Sequence, residues 1–230
     1  MICEVCLEQR LPEGRFLLRT FELSEEEVKS RLKGLSFSYS NSLAGIDLFF
    51  ENEEDWKRAK EVLGEFVYTD RAENIEETLG RVLKEKGYTL STAESCTAGM
   101  LSARIVNVPG SSEYFVGGLI VYSNELKERY LCVSPDTLKR YGAVSWQTCL
   151  EMTLGLKNNL GTDCGVAITG IAGPGGTPDK PEGLTYIGIF VKDEITIIKR
   201  IFNQGRNKNR FLSTQTAMFY LLKLLKRQLL

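Results

Sequence analysis

YTLSTAESCTAGMLSARIVNV, residues 88–108, is the stretch whose reading decides the fold. Tyr88 to Glu94 reads as a strand. From Ser95 the small residues Ser-Cys-Thr-Ala-Gly lead into an amphipathic pattern, as expected where a strand feeds a helix N-terminus through a tight turn. Upstream, Ile75, Leu79, Val82 and Leu83 share one helical face, and Gly87 follows as the cap. Downstream, the loop VPGSS is followed by the apolar strand YFVGGLIVYS (114–123) and the helix NELKERYL (124–131). Ser134 and Pro135 open a helix ending at Tyr141-Gly142, and Ser145 opens one ending at Leu160-Gly161. GVAITGIAG (165–173) is a buried strand running into GPGGTPDKPEG. LTYIGIFVK and EITIIKRIF, separated by Asp193, form a hairpin, and a helix from Asn209 to Leu230 carries Leu212, Phe219, Leu222 and Leu225. Strands alternating with helices predict an α/β fold: a mixed sheet between helix layers over residues 73–230.

The preceding residues, 1–72, predict a small α/β domain of order β-α-β-β-α. RFLLRTFEL is its first strand, and Ser24 with Glu27 forms a capping box. LSFSYSNSLAGIDLFFE supplies two strands around an Asn41 to Gly45 turn, and EEDWKRAKEVLGEF supplies a second helix. Polar residues at 69–73 mark the boundary.

The 230 residues contain no histidine. This excludes Ser-His-Asp and Cys-His catalysis and His-ligated metals, so acid-base work falls to carboxylates, Lys, Tyr, Cys or water. A charge balance of 29 Lys+Arg against 30 Asp+Glu disfavours a nucleic-acid binder, which needs surplus positive charge. No apolar run is long enough for a membrane span, and MICEVCLEQR lacks the order of a signal peptide, so a cytoplasmic protein without a membrane partner is expected. The six cysteines read as reduced thiols in apolar segments. Cys3 and Cys6 form a CxxC without a second ligand pair, a poor basis for zinc. No metal and no cofactor are expected.

Three segments place small polar groups at strand ends, where open α/β sheets bind ligands. Glu94, Ser95, Cys96, Thr97 and Gly99 form the first, suited to holding an anion or a nucleophile; Ser95 and Thr97 serve equally as helix caps. The second joins Ser111 and Ser112 to Tyr122, Ser123 and Lys127. Without histidine, Ser with a deprotonated Lys is the natural nucleophile and base. One strand separates the serines from Tyr122, and a solvated Lys127 beside Glu125 and Glu128 is the plainer alternative. Thr169, Gly170 and the following glycines form the third, whose backbone N–H groups suit a phosphate or oxyanion. Arg206 and Arg210, at the turn into the last helix, are candidate phosphate ligands.

TAESCTAG, NVPGSSEYFVGGLIVYSNELK, YGAVS, VAITGIAGPGGTPDKPEG and FNQGRNKNR, in this order, resemble the C-terminal domain of the CinA competence/damage-inducible family. Residues 15–70 resemble the KH-like middle domain of the longer members, and the molybdopterin-binding-like first domain has no counterpart here. The resemblance implies hydrolysis of nicotinamide mononucleotide to nicotinic acid mononucleotide and ammonia by a metal-independent Ser-Lys mechanism, and self-association as a homo-oligomer, a dimer. It implies Ser112 as nucleophile, Lys127 as base, Tyr122 assisting, and Ser95 as rival nucleophile or substrate contact. Glu94, Thr97, Ser111, Thr169 and Gly170 would line the site, with Arg206 or Arg210 on the phosphate. Two departures stand out: Ala98 replaces the first of two glycines after the SCT, narrowing the site if its φ is positive, and the loop after Pro174 is a residue short. The KH-like region lacks a GxxG loop, which disfavours RNA. A catalytically silent nucleotide-binding or regulatory protein is the alternative; a metal-dependent phosphohydrolase would need a carboxylate cluster that the motifs lack.

Overall fold

The first nine-residue strand pattern, RFLLRTFEL, condenses to β1 (Phe16–Thr20) in the computed structural model, which describes residues 16–227. Arg15, Cys3 and Cys6 lie outside the described residues. Ser24 accepts from the Glu27 N–H while the Glu27 carboxylate accepts from the Ser24 N–H, so α1 (Glu25–Arg31) starts at the expected capping box. β2 (Ser38–Ser42) and β3 (Gly45–Phe50) form the expected hairpin, and Asn52 caps α2 (Glu53–Leu63). The alternation in β3 turns Ile46, Leu48 and Phe50 inward against Leu18, Val28, Leu32, Ala59 and Leu63. β4 (Val67–Thr69), absent from the sequence reading, pairs with β1 and completes an antiparallel sheet of order β2-β3-β1-β4. It is only three residues long, too short to show a period.

The chain divides into two compact units between Thr78 and Leu79, six residues beyond the boundary expected at 72/73 and inside α3 (Ile75–Lys86). The apolar positions Ile75, Leu79, Val82 and Leu83 of α3 are buried, and Gly87 ends it at φ 64°.

The second unit is built on a sheet of order β6-β5-β7-β8-β9. β5 (Leu90–Glu94) is parallel to both β6 (Phe115–Ile120) and β7 (Cys164–Gly170). β8 (Leu184–Val191) and β9 (Glu194–Ile201) extend β7 as an antiparallel hairpin, joined by Lys192 and Asp193 rather than by Asp193 alone. Every residue of β5 is buried, as expected of a central strand covered on both faces. α5 (Asn124–Leu131), α6 (Pro135–Tyr141) and α7 (Trp146–Leu160) enclose a core of Ala93, Val121, Leu131, Met152, Leu156 and Phe190. Ser145 caps α7 through the Thr148 N–H; Ser134 starts α6 without a side-chain cap, Pro135 having no N–H to satisfy. α5 and α7 cross so closely at Gly155 that a Cβ there would stand 2.0 Å from the Leu131 carbonyl oxygen. α4 (Met100–Val106) and α8 (Arg206–Arg227) pack against each other, α8 also against β8. α8 starts three residues earlier than the pattern predicts, so Arg206 and Arg210 belong to its first turns instead of the preceding turn. The mixed α/β architecture of the sequence reading is thus the observed one.

Candidate active site

Parallel register sets the C-terminal ends of β5, β6 and β7 on one rim: Glu94 lies beside Ile120 on one side and Ile168 on the other. The residues that follow, Ser95 to Thr97, Val121 to Ser123, and Thr169 with Gly170, therefore surround one point. The Ser95 N–H donates to the Ile168 carbonyl and the Val121 N–H to the Glu94 carbonyl, which fixes the three segments to one another.

Lys127, one turn into α5, reaches back over this rim. Its Nζ donates to the carbonyls of Val121 at 2.8 Å and Tyr122 at 3.0 Å, with Ser123 at 3.4 Å. The side chain is 0% exposed, which excludes the solvated alternative. Burial lowers its pKa from 10.5 to about 8, and the Cys96 sulfur, which would oppose that shift only as a thiolate, lies close by. The Cys96 thiol itself is pushed up to about 11 by burial and is a neutral group at ordinary pH. Ser95 is buried, and its hydroxyl makes no hydrogen bond among the described residues. The Thr97 hydroxyl is fully buried and unpartnered among them.

The helix start after Ser95 is not an open anion site. Gly99 is the N-cap of α4, at φ 88°, and neither Ser95 nor Thr97 caps it. The protein's own Glu94 occupies that position: Oε2 accepts from the Leu101 N–H at 3.0 Å, and Oε1 accepts from the Ser102 N–H at 2.8 Å and the Ser102 hydroxyl at 2.7 Å. Glu94 is thus withdrawn from the substrate-lining role, because both carboxylate oxygens are spent on α4 and the residue is 0% exposed. Ala98 has φ 48°, the positive value on which the narrowing depended, and its methyl is exposed.

α8 closes the other side. Arg210 donates from Nε to the Cys96 carbonyl at 3.1 Å and from Nη2 to the Thr97 carbonyl at 2.8 Å, strapping the Ser95–Thr97 turn. Arg206 donates to the Gly173 carbonyl at 2.6 Å, at the glycine-rich loop. Thr169 donates to the Ala143 carbonyl at 2.7 Å, which ties the YGAVS segment to β7. Asn209 escaped the sequence reading: fully buried, it donates to the Ala172 carbonyl and accepts from the Gln204 N–H, joining the glycine-rich loop to α8. Its place in FNQGRNKNR was the available signal.

Ser95, Thr97, Tyr122, Lys127, Thr169 and Gly170 thus share the C-terminal rim of the sheet, with Arg210 bonded to the Ser95–Thr97 turn and Arg206 to the loop after β7. Ser111 and Ser112 do not. They form a one-turn 3-10 helix before β6, on the opposite rim from Tyr122, which follows β6. Six strand residues at about 3.3 Å each separate the two ends by about 20 Å. Within one copy the expected pairing of Ser112 with Lys127 is therefore not made. Among the described residues no group of three His, Cys, Asp or Glu could hold a metal ion, and no helix is long and apolar enough to cross a membrane.

Comparison with known proteins shows which proteins this chain is similar to. The chain is 44% identical over 172 residues to the putative competence-damage inducible protein of Halothermothrix orenii, covering 74% of this chain and 42% of that protein. It is 49% identical over 169 residues to the CinA-like protein of Thermotoga neapolitana, covering 73% and 41%. The chain thus spans less than half the length of these curated relatives. The crystal structure of the competence/damage inducible protein CihA from Agrobacterium tumefaciens superposes with a TM-score of 0.61 at 35% identity, over 66% of this chain and 95% of that one. The family model of the CinA C-terminal domain matches residues 72–225, and the chain belongs to that family.

Proposed function

We propose that this chain is a metal-independent amidohydrolase that converts nicotinamide mononucleotide to nicotinic acid mononucleotide and ammonia. The observation that carries the reading is Lys127: a fully buried lysine at the end of parallel strands, with a pKa of about 8, on the same rim of the sheet as Ser95 and its unbonded hydroxyl. At pH 7 a pKa near 8 leaves about a tenth of the amine neutral and able to accept a proton, whereas an ordinary lysine leaves less than about a thousandth. In a chain without histidine this is the best-placed base.

In the reaction, neutral Lys127 takes the proton of a serine hydroxyl as its oxygen bonds to the carboxamide carbon. The resulting ammonium gives the proton to the leaving nitrogen, the C–N bond breaks, and ammonia departs. Water, deprotonated by the same amine, then adds to the acyl carbon; the serine oxygen leaves with a proton and the carboxylate is released. Within one copy Ser95 is the serine at the Lys127 rim. The unpartnered Thr97 hydroxyl is a donor for the developing oxyanion, Tyr122 assists proton movement, and Thr169 with Gly170 lines the pocket. Arg206 and Arg210 at the start of α8 are the cations available to the substrate phosphate. Cytoplasmic pyridine-nucleotide recycling is the setting this chemistry fits.

The test is release of ammonia from nicotinamide mononucleotide by the purified chain. Turnover abolished by Lys127→Ala is the expected result. Binding of the nucleotide by calorimetry without any turnover in the unmodified chain would replace the enzyme with a silent nucleotide-binding protein.

A further inference from the structure

Arg210 makes two bonds that no step of the proposed reaction uses. Its Nε donates to the Cys96 carbonyl at 3.1 Å and its Nη2 to the Thr97 carbonyl at 2.8 Å. The two donors lie in one rigid plane, so both carbonyls are held together and in one orientation. The guanidinium has further N–H groups for the substrate phosphate, so its charge and its hold on the turn are separable properties.

What this hold achieves follows from the peptide unit. A trans peptide is planar, with its C=O and N–H pointing in opposite directions. Fixing the Cys96 carbonyl on Arg210 of α8 therefore fixes the Thr97 N–H away from α8. The neighbouring donor is already committed, since the Ala98 N–H donates to the Ser95 carbonyl at 3.1 Å. The Thr97 N–H has no acceptor among the described residues, and neither has the buried hydroxyl of the same residue. Buried donors are almost always paired, so two free ones on a single residue suit an acceptor brought by a ligand.

Away from α8 is the side that carries Lys127. On β8, the Thr185 hydroxyl meets that of Ser213 in α8 at 3.3 Å. Gly188, an odd number of positions along the strand, lies instead against Cys149 and Thr153 of α7. Thus α8 covers one face of the sheet, and α7, with α5 packed on it, covers the other. The Ser95–Thr97 turn at the end of the central strand stands between Arg210 of α8 and Lys127 of α5.

We infer that Arg210 is a positioning residue: by holding the Cys96 and Thr97 carbonyls it aims the Thr97 N–H, together with the Thr97 hydroxyl, at the carboxamide oxygen of the substrate. Addition of the serine oxygen moves the carbonyl π pair onto that oxygen, and the pair returns when the C–N bond breaks. The two donors lend hydrogen bonds and transfer no proton. The identity of that oxygen rests on the proposed amidohydrolase reading; the hold on the turn does not.

Arg210→Lys keeps the positive charge but replaces the rigid fork with a single ammonium. Its kcat for nicotinamide mononucleotide should fall about 10- to 100-fold, with KM within about threefold, a cooperative melt, and a pH profile still bending near 8. A raised KM with unchanged kcat would make Arg210 a phosphate ligand only, and unchanged kcat and KM would remove it from the reaction. A bend displaced from pH 8 would place the damage at Lys127 and overturn the inference. A second measurement needs no turnover: alkylation of the buried Cys96 by iodoacetamide, followed by peptide mass mapping, with the exposed Cys132 as internal reference. A turn released from Arg210 should expose Cys96, so Arg210→Lys should alkylate there at least about tenfold faster than the unmodified chain. An unchanged rate would overturn the hold on the turn. If the unmodified chain releases no ammonia, the amidohydrolase reading fails, and the Cys96 rate alone decides whether Arg210 fixes the turn.

Discussion

Two residues show how local chemistry sets the behaviour of the site. Lys127 has exchanged water for three backbone carbonyls, and burial lowers its pKa to about 8. A base must be neutral, so turnover should rise with pH up to about 8 and fall about tenfold per unit below it. A rate that stays flat from pH 8 to 5 would remove Lys127 from the chemistry. Lys127→Ala should cost at least about 100-fold in kcat. Folding is linked to the same proton: between about pH 8 and the ordinary 10.5 the unfolded chain binds more protons at this residue, so its contribution to stability rises with pH across that window. Ala98 is the second residue. A left-handed alanine is strained where glycine would not be, and its exposed methyl packs against little. Ala98→Gly should therefore raise stability by about 1 kcal/mol in urea unfolding, with the fold unchanged. An unchanged or lower midpoint would show that the strain is offset elsewhere.

Elements reached the sequence unequally. The capped helices were legible because caps are local: Ser24 with Glu27 at α1 and Ser145 at α7 announce themselves within four residues. What was not legible is what the strands do to the ends of segments. Ser95 and Thr97 look like caps of α4, yet Glu94, projecting from a strand, does that work, a substitution visible only once β5 and α4 are folded together. Likewise, PGSS and YSNELK are adjacent in sequence but lie at the two ends of β6, because a single strand between two motifs always sends them to opposite rims. Two predictions belong to this scale. Glu94→Gln removes one of two acceptors serving buried donors and should destabilise the protein by about 1–3 kcal/mol, while loosening the Ser95–Thr97 turn enough to lower turnover. Gly155→Ala places a methyl against the Leu131 backbone, which cannot rotate away, so α7 must retreat from α5, at a cost of about 3 kcal/mol in thermal or urea unfolding.

At the scale of the whole molecule, the proposed activity needs only part of the chain. Every residue gathered at the rim, from Glu94 to Arg210, belongs to the second compact unit, and the first unit holds its own sheet and its own core of Leu18, Ile46, Leu48 and Phe50. The A. tumefaciens relative is matched over 95% of its length by only 66% of this chain, so a molecule of about that extent folds by itself. A chain reduced to residues 72–230, which retains all of α3 and the whole family match, should therefore fold cooperatively. Its kcat and KM for nicotinamide mononucleotide should stay within about twofold of the full chain, and its pH profile should bend at the same place, because no group that tunes Lys127 has been removed. Circular dichroism melts and ammonia release measured side by side check this. Loss of turnover with an intact melt would assign the first unit a direct part in binding the substrate, and loss of both would make it a structural requirement of the second.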